Sequence, residues 1–80
     1  MLHVVEASYV DALRVRVRFN DGSEGVVDLS ESLDGPVFEP LNDETYFARF
    51  KIEGHTLSWP NGADFSPEYL RSLLPSHVKV

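Results

Sequence analysis

The stretch LRVRVRF, residues 13–19, alternates strictly between apolar and basic side chains. A period of two is typical of a half-buried β-strand, because successive side chains point to opposite faces of a sheet. The four apolar residues are therefore expected to face a core, and Arg14, Arg16 and Arg18 to face away from it. This strand is the clearest structural signal in the chain.

The segment Asn20-Asp21-Gly22 then reverses the chain, and two hairpin registers compete. A two-residue turn at Asp21-Gly22 would place charged and apolar residues on the same face. A three-residue loop, with Gly22 in the left-handed region, keeps the faces separate and favours charge-paired arginines over a phosphate-binding stripe. We predict the three-residue loop, which pairs Leu13 with Leu29, Val15 with Val27, Arg14 with Asp28 and Arg18 with Glu24, and leaves Arg16 unpaired.

Segments on either side extend the predicted sheet. Residues 4–9 alternate as a strand, and a loop follows at 10–12. Residues 50–59 indicate a second hairpin that turns at Glu53-Gly54. The first strand is expected to place Val5, Ala7 and Tyr9 on one face, and the second hairpin to pair Ile52 with His55 and Phe50 with Leu57, with Trp59 ending on the apolar face.

Two helices complete the predicted fold. Asn42 or Asp43 can cap a short helix that runs to about Ala48, and Ser66-Pro67 begins a second helix that Pro75 ends. We predict one α+β domain over residues 1–80. It consists of a twisted antiparallel sheet of about five strands, with both helices on one face and a tail, 75–80, whose order the sequence leaves open.

Composition limits the chemistry. The chain has 80 residues, of which 42 % are hydrophobic, so a small core is feasible. The absence of cysteine excludes disulfides and thiolate chemistry and suits a reducing cytosol, and no apolar run is long enough for a membrane segment, so we expect a cytoplasmic protein. The spacing of His3, His55 and His77 does not suggest a metal site, and no cofactor is expected.

Charge is the strongest functional signal. The net charge is −6, and residues 19–48 contain no Lys or Arg. Such a segment repels the phosphates of nucleic acid and favours a basic partner protein, while a homodimer stays open. The eight carboxylates of this segment are Asp21, Glu24, Asp28, Glu31, Asp34, Glu39, Asp43 and Glu44.

No catalytic motif is present, so we do not predict an enzyme. A hydrolase-like or ligand-binding protein that uses Asp64, Glu68 and His55 is kept as an alternative. The functional alternative for Trp59 is an exposed aromatic anchor for a partner. We favour a structural interpretation, in which Trp59 packs in the core and Asp64 helps to hold the helix start.

Residues 35–43 (GPVFEPLND), Phe47 and residues 59–70 (WPNGADFSPEYL) resemble the small bacterial family known as domain of unknown function 2442. The resemblance implies an α+β domain without established catalytic residues. It also implies relatives that occur alone or joined to helix-turn-helix DNA-binding domains, and gene neighbourhoods similar to those of toxin–antitoxin pairs. The sequence ends directly after the last predicted helix, so we expect no DNA-binding half, and Asn42 stands where many relatives are expected to carry arginine.

The preferred function is a non-enzymatic interaction module, the acidic antitoxin-like member of a bacterial two-protein system. The second hypothesis is a sensing or dimerising domain that serves transcriptional regulators. The candidate interaction surface consists of Glu31, Asp34, Glu39, Asp43, Glu44, Trp59, Asn61 and Asp64.

Overall fold

The structure is a computed structural model that describes residues 1–74, so the predictions for Pro75, His77 and the tail 75–80 lie outside the described residues. The class is α+β with five antiparallel strands, as predicted. They form a three-stranded sheet, ordered β1-β2-β3, and a separate β4-β5 hairpin instead of one sheet. The elements are β1 (Val4–Asp11), β2 (Arg14–Phe19), β3 (Glu24–Asp28), the 3-10 helix η1 (Glu39–Asn42), α1 (Glu44–Phe47), β4 (Lys51–Glu53), β5 (Thr56–Ser58) and α2 (Pro67–Ser72).

The β2-β3 hairpin has the predicted register. Val15 lies opposite Val27, Arg14 opposite Asp28 and Arg18 opposite Glu24. The loop contains three residues, and Gly22 has a φ of +89°, which an L side chain rarely adopts. The apolar face of β2 is fully buried, and its arginine face is turned to solvent. Segregation of the two faces was therefore a sufficient guide to this register.

Strand β1 differs from the prediction in length and in phase. It continues through residues 10 and 11, where a loop was expected, and turns into β2 at Ala12. A bulge lies between Val4 and Glu6, so Val4 is buried at 2 % exposure while Val5 is 42 % exposed. An extra residue in one strand changes which way its neighbours face, so Val5 does not share the face of Ala7 and Tyr9 as predicted.

The second hairpin forms in a different register from the predicted one. Ile52 lies opposite Leu57, and the turn is Gly54-His55 rather than Glu53-Gly54. Both turn residues have positive φ, 61° and 71°, which gives a two-residue turn whose twist matches that of the strands. The predicted turn would have required Glu53, instead of Gly54, to adopt a positive φ at the first turn position. Strand β5 is buried along its whole length, so alternation gave no guide to its register.

Residues 30–47 form a layer of turns, η1 and α1, which we call the acidic layer. The helix α1 begins at the predicted cap, Asp43, whose carboxylate accepts a hydrogen bond from the Thr45 amide at 3.0 Å. The 3-10 helix η1 was not predicted. Leu33, Leu41 and Phe47 are buried in the same cluster as the apolar face of β2. The acidic layer therefore covers the apolar face of the sheet, on the side opposite the arginines.

Helix α2 closes the core. Ser66 caps it by accepting a hydrogen bond from the Tyr69 amide, and Pro67 occupies its first turn, as predicted. Leu70 and Leu74 are buried, while Leu73 is only partly so. Among the helices of residues 1–74, none is long and apolar enough to cross a membrane.

Candidate functional site

The arginines of β2 form ion pairs with β1, not with β3. Arg14 contacts Asp11 at 2.8 Å, and Arg18 contacts Glu6 at 2.8 Å. These carboxylates lie directly across the β1-β2 ladder, on the solvent face that the arginines share. Arg14 and Arg18 do lie opposite Asp28 and Glu24, as predicted, and the charges of these carboxylates act on them, but the direct ion-pair contacts were not predicted. Sequence reasoning missed the contacts with β1 because it assigned Asp11 to a loop and left the β1-β2 register unspecified.

The paired carboxylates on this face have altered acidity. A hydrogen bond from Arg18, reinforced by its positive charge, lowers the pKa of Glu6. A hydrogen bond from Arg14 lowers the pKa of Asp11 in the same way. Asp28 instead accepts a hydrogen bond from the Ser30 amide at 2.9 Å, and this bond lowers its pKa. Charges on the sheet face are thus largely matched within the sheet and its adjoining turn.

Carboxylates of the acidic layer have a different environment. All five, Glu31, Asp34, Glu39, Asp43 and Glu44, are exposed. Within residues 1–74 none of them forms an ion pair. All five predicted acidic residues thus lie in the acidic layer, exposed and without ion-pair contacts to residues 1–74. Asp21, an acid outside this layer, lies 3.5 Å from Arg71, a contact that sequence reasoning missed.

The negative potential of the acidic layer extends to the end of β1. Burial raises the pKa of Tyr9, and the charges of Glu44 and Asp11 raise it further. The Tyr9 hydroxyl donates a hydrogen bond to the carbonyl oxygen of Ala12 at 2.9 Å. Glu44, at the start of α1, therefore acts electrostatically on a residue of the sheet.

Trp59 is a core residue, not an exposed anchor. Only 3 % of it is exposed, and its ring packs against Phe47, Phe50 and Phe65. Its indole N–H donates a hydrogen bond to the carbonyl oxygen of Phe47 at 2.8 Å. The geometry agrees with the structural interpretation of this residue and removes it from the candidate surface.

Asn61 is exposed, but both ends of its side-chain amide are occupied. The amide nitrogen donates to the carbonyl oxygen of Val37 at 2.9 Å, and the amide oxygen accepts from the Ala63 N–H at 3.0 Å. Gly62, at a φ of +92°, allows the tight turn between them. Asp64 is exposed and forms a backbone bridge with Ser58. Asn61 is therefore an attachment point of the fold, and Asp64 lies at the edge of this turn.

Together, Trp59 and Asn61 attach the acidic layer to the core. They donate to backbone carbonyls at Val37 and Phe47, which lie ten positions apart in the layer. The sequence indicated a rigid loop at residues 59–64 but gave no sign of these two acceptors. Backbone carbonyls carry no residue-specific signal, so only the three-dimensional structure identifies them.

His55, Asp64 and Glu68, the residues of the hydrolase-like alternative, are all exposed in the described part of the chain. His55 lies in the β4-β5 turn, stacked on His3 with ring centroids 3.9 Å apart. None of these three residues lines any of three surface grooves found on residues 1–74. Over the same range, no group of three His, Cys, Asp or Glu side chains is arranged to hold a metal ion.

Comparison with known families gives one match. The sequence model of the family described as "Protein of unknown function (DUF2442)" matches residues 4–76 of the 80-residue chain. This match confirms the resemblance that the sequence suggested. Neither the curated proteins nor the solved structures give a match.

Proposed function

The chain belongs to the DUF2442 family, whose function is unknown, and we propose that it is a non-enzymatic module that binds a basic protein through its acidic layer. In its specific form, the proposal makes this chain the acidic, antitoxin-like member of a bacterial two-protein system. The absence of cysteine suits a reducing compartment, so the proposed complex is expected in the cytoplasm.

The observation that carries the proposal is the concentration of unmatched charge in one layer. The acidic layer holds five of the 13 acidic residues and no Lys or Arg. The remaining eight acidic residues are nearly balanced by seven basic ones, so almost the whole net charge of −6 belongs to this layer. A single-sign surface steers an oppositely charged partner and raises its association rate.

Rigid attachment of the layer supports the same proposal. The hydrogen bonds from Trp59 and Asn61 fix the layer at two points, and buried Leu41 and Phe47 hold η1 and α1 against the core. A surface that is ordered before binding loses less conformational entropy when the complex forms. The five carboxylates are thus presented in a defined arrangement.

The opposite face gives little support to a nucleic-acid partner. Arg14 and Arg18 are held by carboxylates of β1, so only Arg16 of the three has no carboxylate partner within residues 1–74. Productive contact with a phosphate backbone requires several free cations along its path. We therefore favour a basic protein over DNA or RNA.

The test compares two variants that remove the same charge from different surfaces. The layer variant combines Glu31→Gln, Asp34→Asn, Glu39→Gln and Glu44→Gln. The control variant combines Glu6→Gln, Glu24→Gln, Glu53→Gln and Glu68→Gln. A partner is first recovered with the wild-type chain from native cytosol, and association rates are then measured at low and at physiological salt.

The layer variant is expected to associate about tenfold more slowly at low salt and to lose most of the salt dependence of the rate. The control variant is expected to stay within about twofold of wild type, because its positions lie outside the layer. Equal slowing in both variants would show that only net charge matters and would contradict the proposal.

The second hypothesis, a dimerising domain that serves transcriptional regulators, makes a different prediction. Sedimentation of the isolated chain should then show a concentration-dependent dimer. The dimer should also persist in the layer variant. A monomer that binds a basic protein would favour the first proposal.

A further inference from the structure

A groove of about 370 Å³ crosses the solvent face of the three-stranded sheet, away from the acidic layer. It lies at the lower end of the size range of small-ligand sites, which is about 300–1,000 Å³. Residues of β1, β2 and β3 line it, together with Ile52 of β4. Its lining includes the side chains of Glu6, Ser8, Arg16, Arg18, Glu24 and Ile52.

Two of the four charged groups in this groove are already matched. Arg18 and Glu6 form an ion pair at 2.8 Å, and a second contact joins the Arg18 Nε to the Glu6 carboxylate at 3.1 Å. In contrast, the guanidinium of Arg16 has neither an ion pair nor a hydrogen bond to any of residues 1–74. The carboxylate of Glu24 has neither over the same range. The groove therefore offers one cation and one anion that make no direct contact, although the Glu24 carboxylate also lies opposite Arg18 and its charge raises the pKa of that arginine.

The strand register fixes the separation of these two groups. Arg16 lies opposite Val26 and Arg18 opposite Glu24, so Glu24 is the diagonal neighbour of Arg16 on the same face. Diagonal neighbours in an antiparallel pair are about 7–8 Å apart. A bridging molecule with a carboxylate beside an ammonium group spans this separation when each group makes one hydrogen bond of about 2.8 Å.

The rest of the groove supplies one polar and one apolar contact. Ser8 lies directly opposite Arg16 on β1, so its hydroxyl is placed to donate to an oxygen that Arg16 already binds. Ile52 is 38 % exposed and gives the groove an apolar wall. Lys51 and Glu53, on either side of Ile52, neutralise each other at 3.4 Å.

We propose that this groove binds a small zwitterion of the α-amino-acid class with an apolar side chain. Its carboxylate accepts hydrogen bonds from Arg16 and Ser8, its ammonium group donates to Glu24, and its side chain packs against Ile52. The four charged side chains of the groove sum to zero, so a neutral zwitterion matches them better than a phosphate dianion or a polycation does. The site lies on the opposite face from the acidic layer, and its test is independent of the proposed function.

The experiment is a titration of the full 80-residue chain, labelled with ¹⁵N, with L-leucine up to about 50 mM. Since the groove is shallow and open, we expect a Kd on the order of 1–10 mM. Saturable shifts should appear at the amides of Ser8, Arg16, Glu24 and Ile52. Arg16→Gln and Glu24→Gln should each weaken binding about tenfold, whereas Arg14→Gln, whose guanidinium pairs with Asp11, should leave it unchanged.

Three related ligands separate the parts of the proposal. N-acetyl-leucine lacks the ammonium group, leucine amide lacks the carboxylate, and glycine lacks the apolar side chain, so each should bind more weakly than leucine. The absence of saturable shifts would overturn the proposal. Equal binding of leucine and N-acetyl-leucine would also overturn it, because the groove would then be a simple anion site. Shifts that follow protein concentration without ligand would identify a second copy as the occupant and overturn it as well.

Discussion

The two faces of this molecule organise charge in opposite ways. On the sheet face, two of the three arginines of β2 are matched by carboxylates one strand away, at 2.8 Å in both cases. In the acidic layer on the other side of the core, five exposed carboxylates have no ion-pair partner within residues 1–74. The strand ladder explains the arrangement of the first set. No such pairing explains the carboxylates of the acidic layer. This difference between the two faces supports the proposal of a basic partner.

The two faces also depend on different supports. The arginines are placed by backbone hydrogen bonds between strands, which no single side chain controls. The acidic layer is held by a few buried apolar residues and by the side chains of Trp59 and Asn61. Single substitutions should therefore disturb the layer far more than the sheet face.

The largest effect is expected from Trp59→Ala. Loss of a buried aromatic residue lowers the free energy of unfolding by about 3–5 kcal/mol, out of roughly 4–12 kcal/mol for a chain of this length. Circular dichroism melts at several denaturant concentrations measure the change. Trp59→Phe keeps an aromatic ring but loses the hydrogen bond to Phe47, so its free energy of unfolding should lie between those of wild type and Trp59→Ala. A melt of Trp59→Ala that matches wild type would show that the layer does not depend on this residue.

A smaller effect is expected from Asn61→Ala, which removes both side-chain hydrogen bonds of the exposed amide. The expected loss is about 1–2 kcal/mol of unfolding free energy. Asn61→Asp keeps the oxygen that accepts from Ala63 but loses the donor to Val37. Chemical denaturation should give Asn61→Asp an unfolding free energy between those of wild type and Asn61→Ala. If Asn61→Asp is as stable as wild type, the attachment at Val37 contributes nothing measurable.

Within the layer, Asp43 and Asp34 should contribute differently to the free energy of unfolding, although both are exposed. Asp43 caps α1 through the Thr45 amide, so Asp43→Ala should lower the unfolding free energy by about 1 kcal/mol. Asp34 makes no hydrogen bond through its side chain to any of residues 1–74. Asp34→Ala should therefore change the unfolding free energy by less than about 0.5 kcal/mol. Equal losses from urea titrations would contradict the assignment of Asp43 as the cap.

The smallest effect concerns protonation on the sheet face. Because Arg18 lowers the pKa of Glu6, ionised Glu6 favours the folded state above its unfolded pKa, and this contribution disappears as pH falls through the lower folded pKa. Arg18→Gln should raise the pKa of Glu6 towards its usual value near 4.3. Titration of the Glu6 side chain by NMR from pH 2 to 7 tests this. A titration curve of Glu6 that is identical in the variant would indicate that the pair does not form in solution.

The first hairpin could be predicted because only one register separates its charged and apolar residues. The second could not, since β5 is buried on both faces and His55 adopts a positive φ, which is uncommon for any residue other than glycine. The bulge at Val5 likewise put Val4 rather than Val5 on the inward face of β1, while Ala7 and Tyr9 kept their shared face. Local patterns are informative where one face of a strand meets solvent and uninformative where both faces are covered.

The candidate site was predicted in part for a related reason. The five carboxylates of the acidic layer could be found by counting charges, since polar residues in a loop-rich segment are usually exposed. The role of Trp59 was correctly weighted towards the core. The partners of Arg14 and Arg18, and the carbonyls that receive the Trp59 and Asn61 hydrogen bonds, depend on contacts between distant segments, which a single sequence does not specify.

Burial of Trp59 has a practical optical consequence. It is the only tryptophan in the chain, so its indole accounts for nearly all the intrinsic fluorescence excited at the red edge of the protein absorption band. Its N–H is hydrogen-bonded to the carbonyl of Phe47, the last residue of α1 in the acidic layer. Emission from this indole should be blue-shifted relative to that of the unfolded chain. Any ligand that displaces α1 should change that emission, which gives an unlabelled optical reporter of the acidic layer.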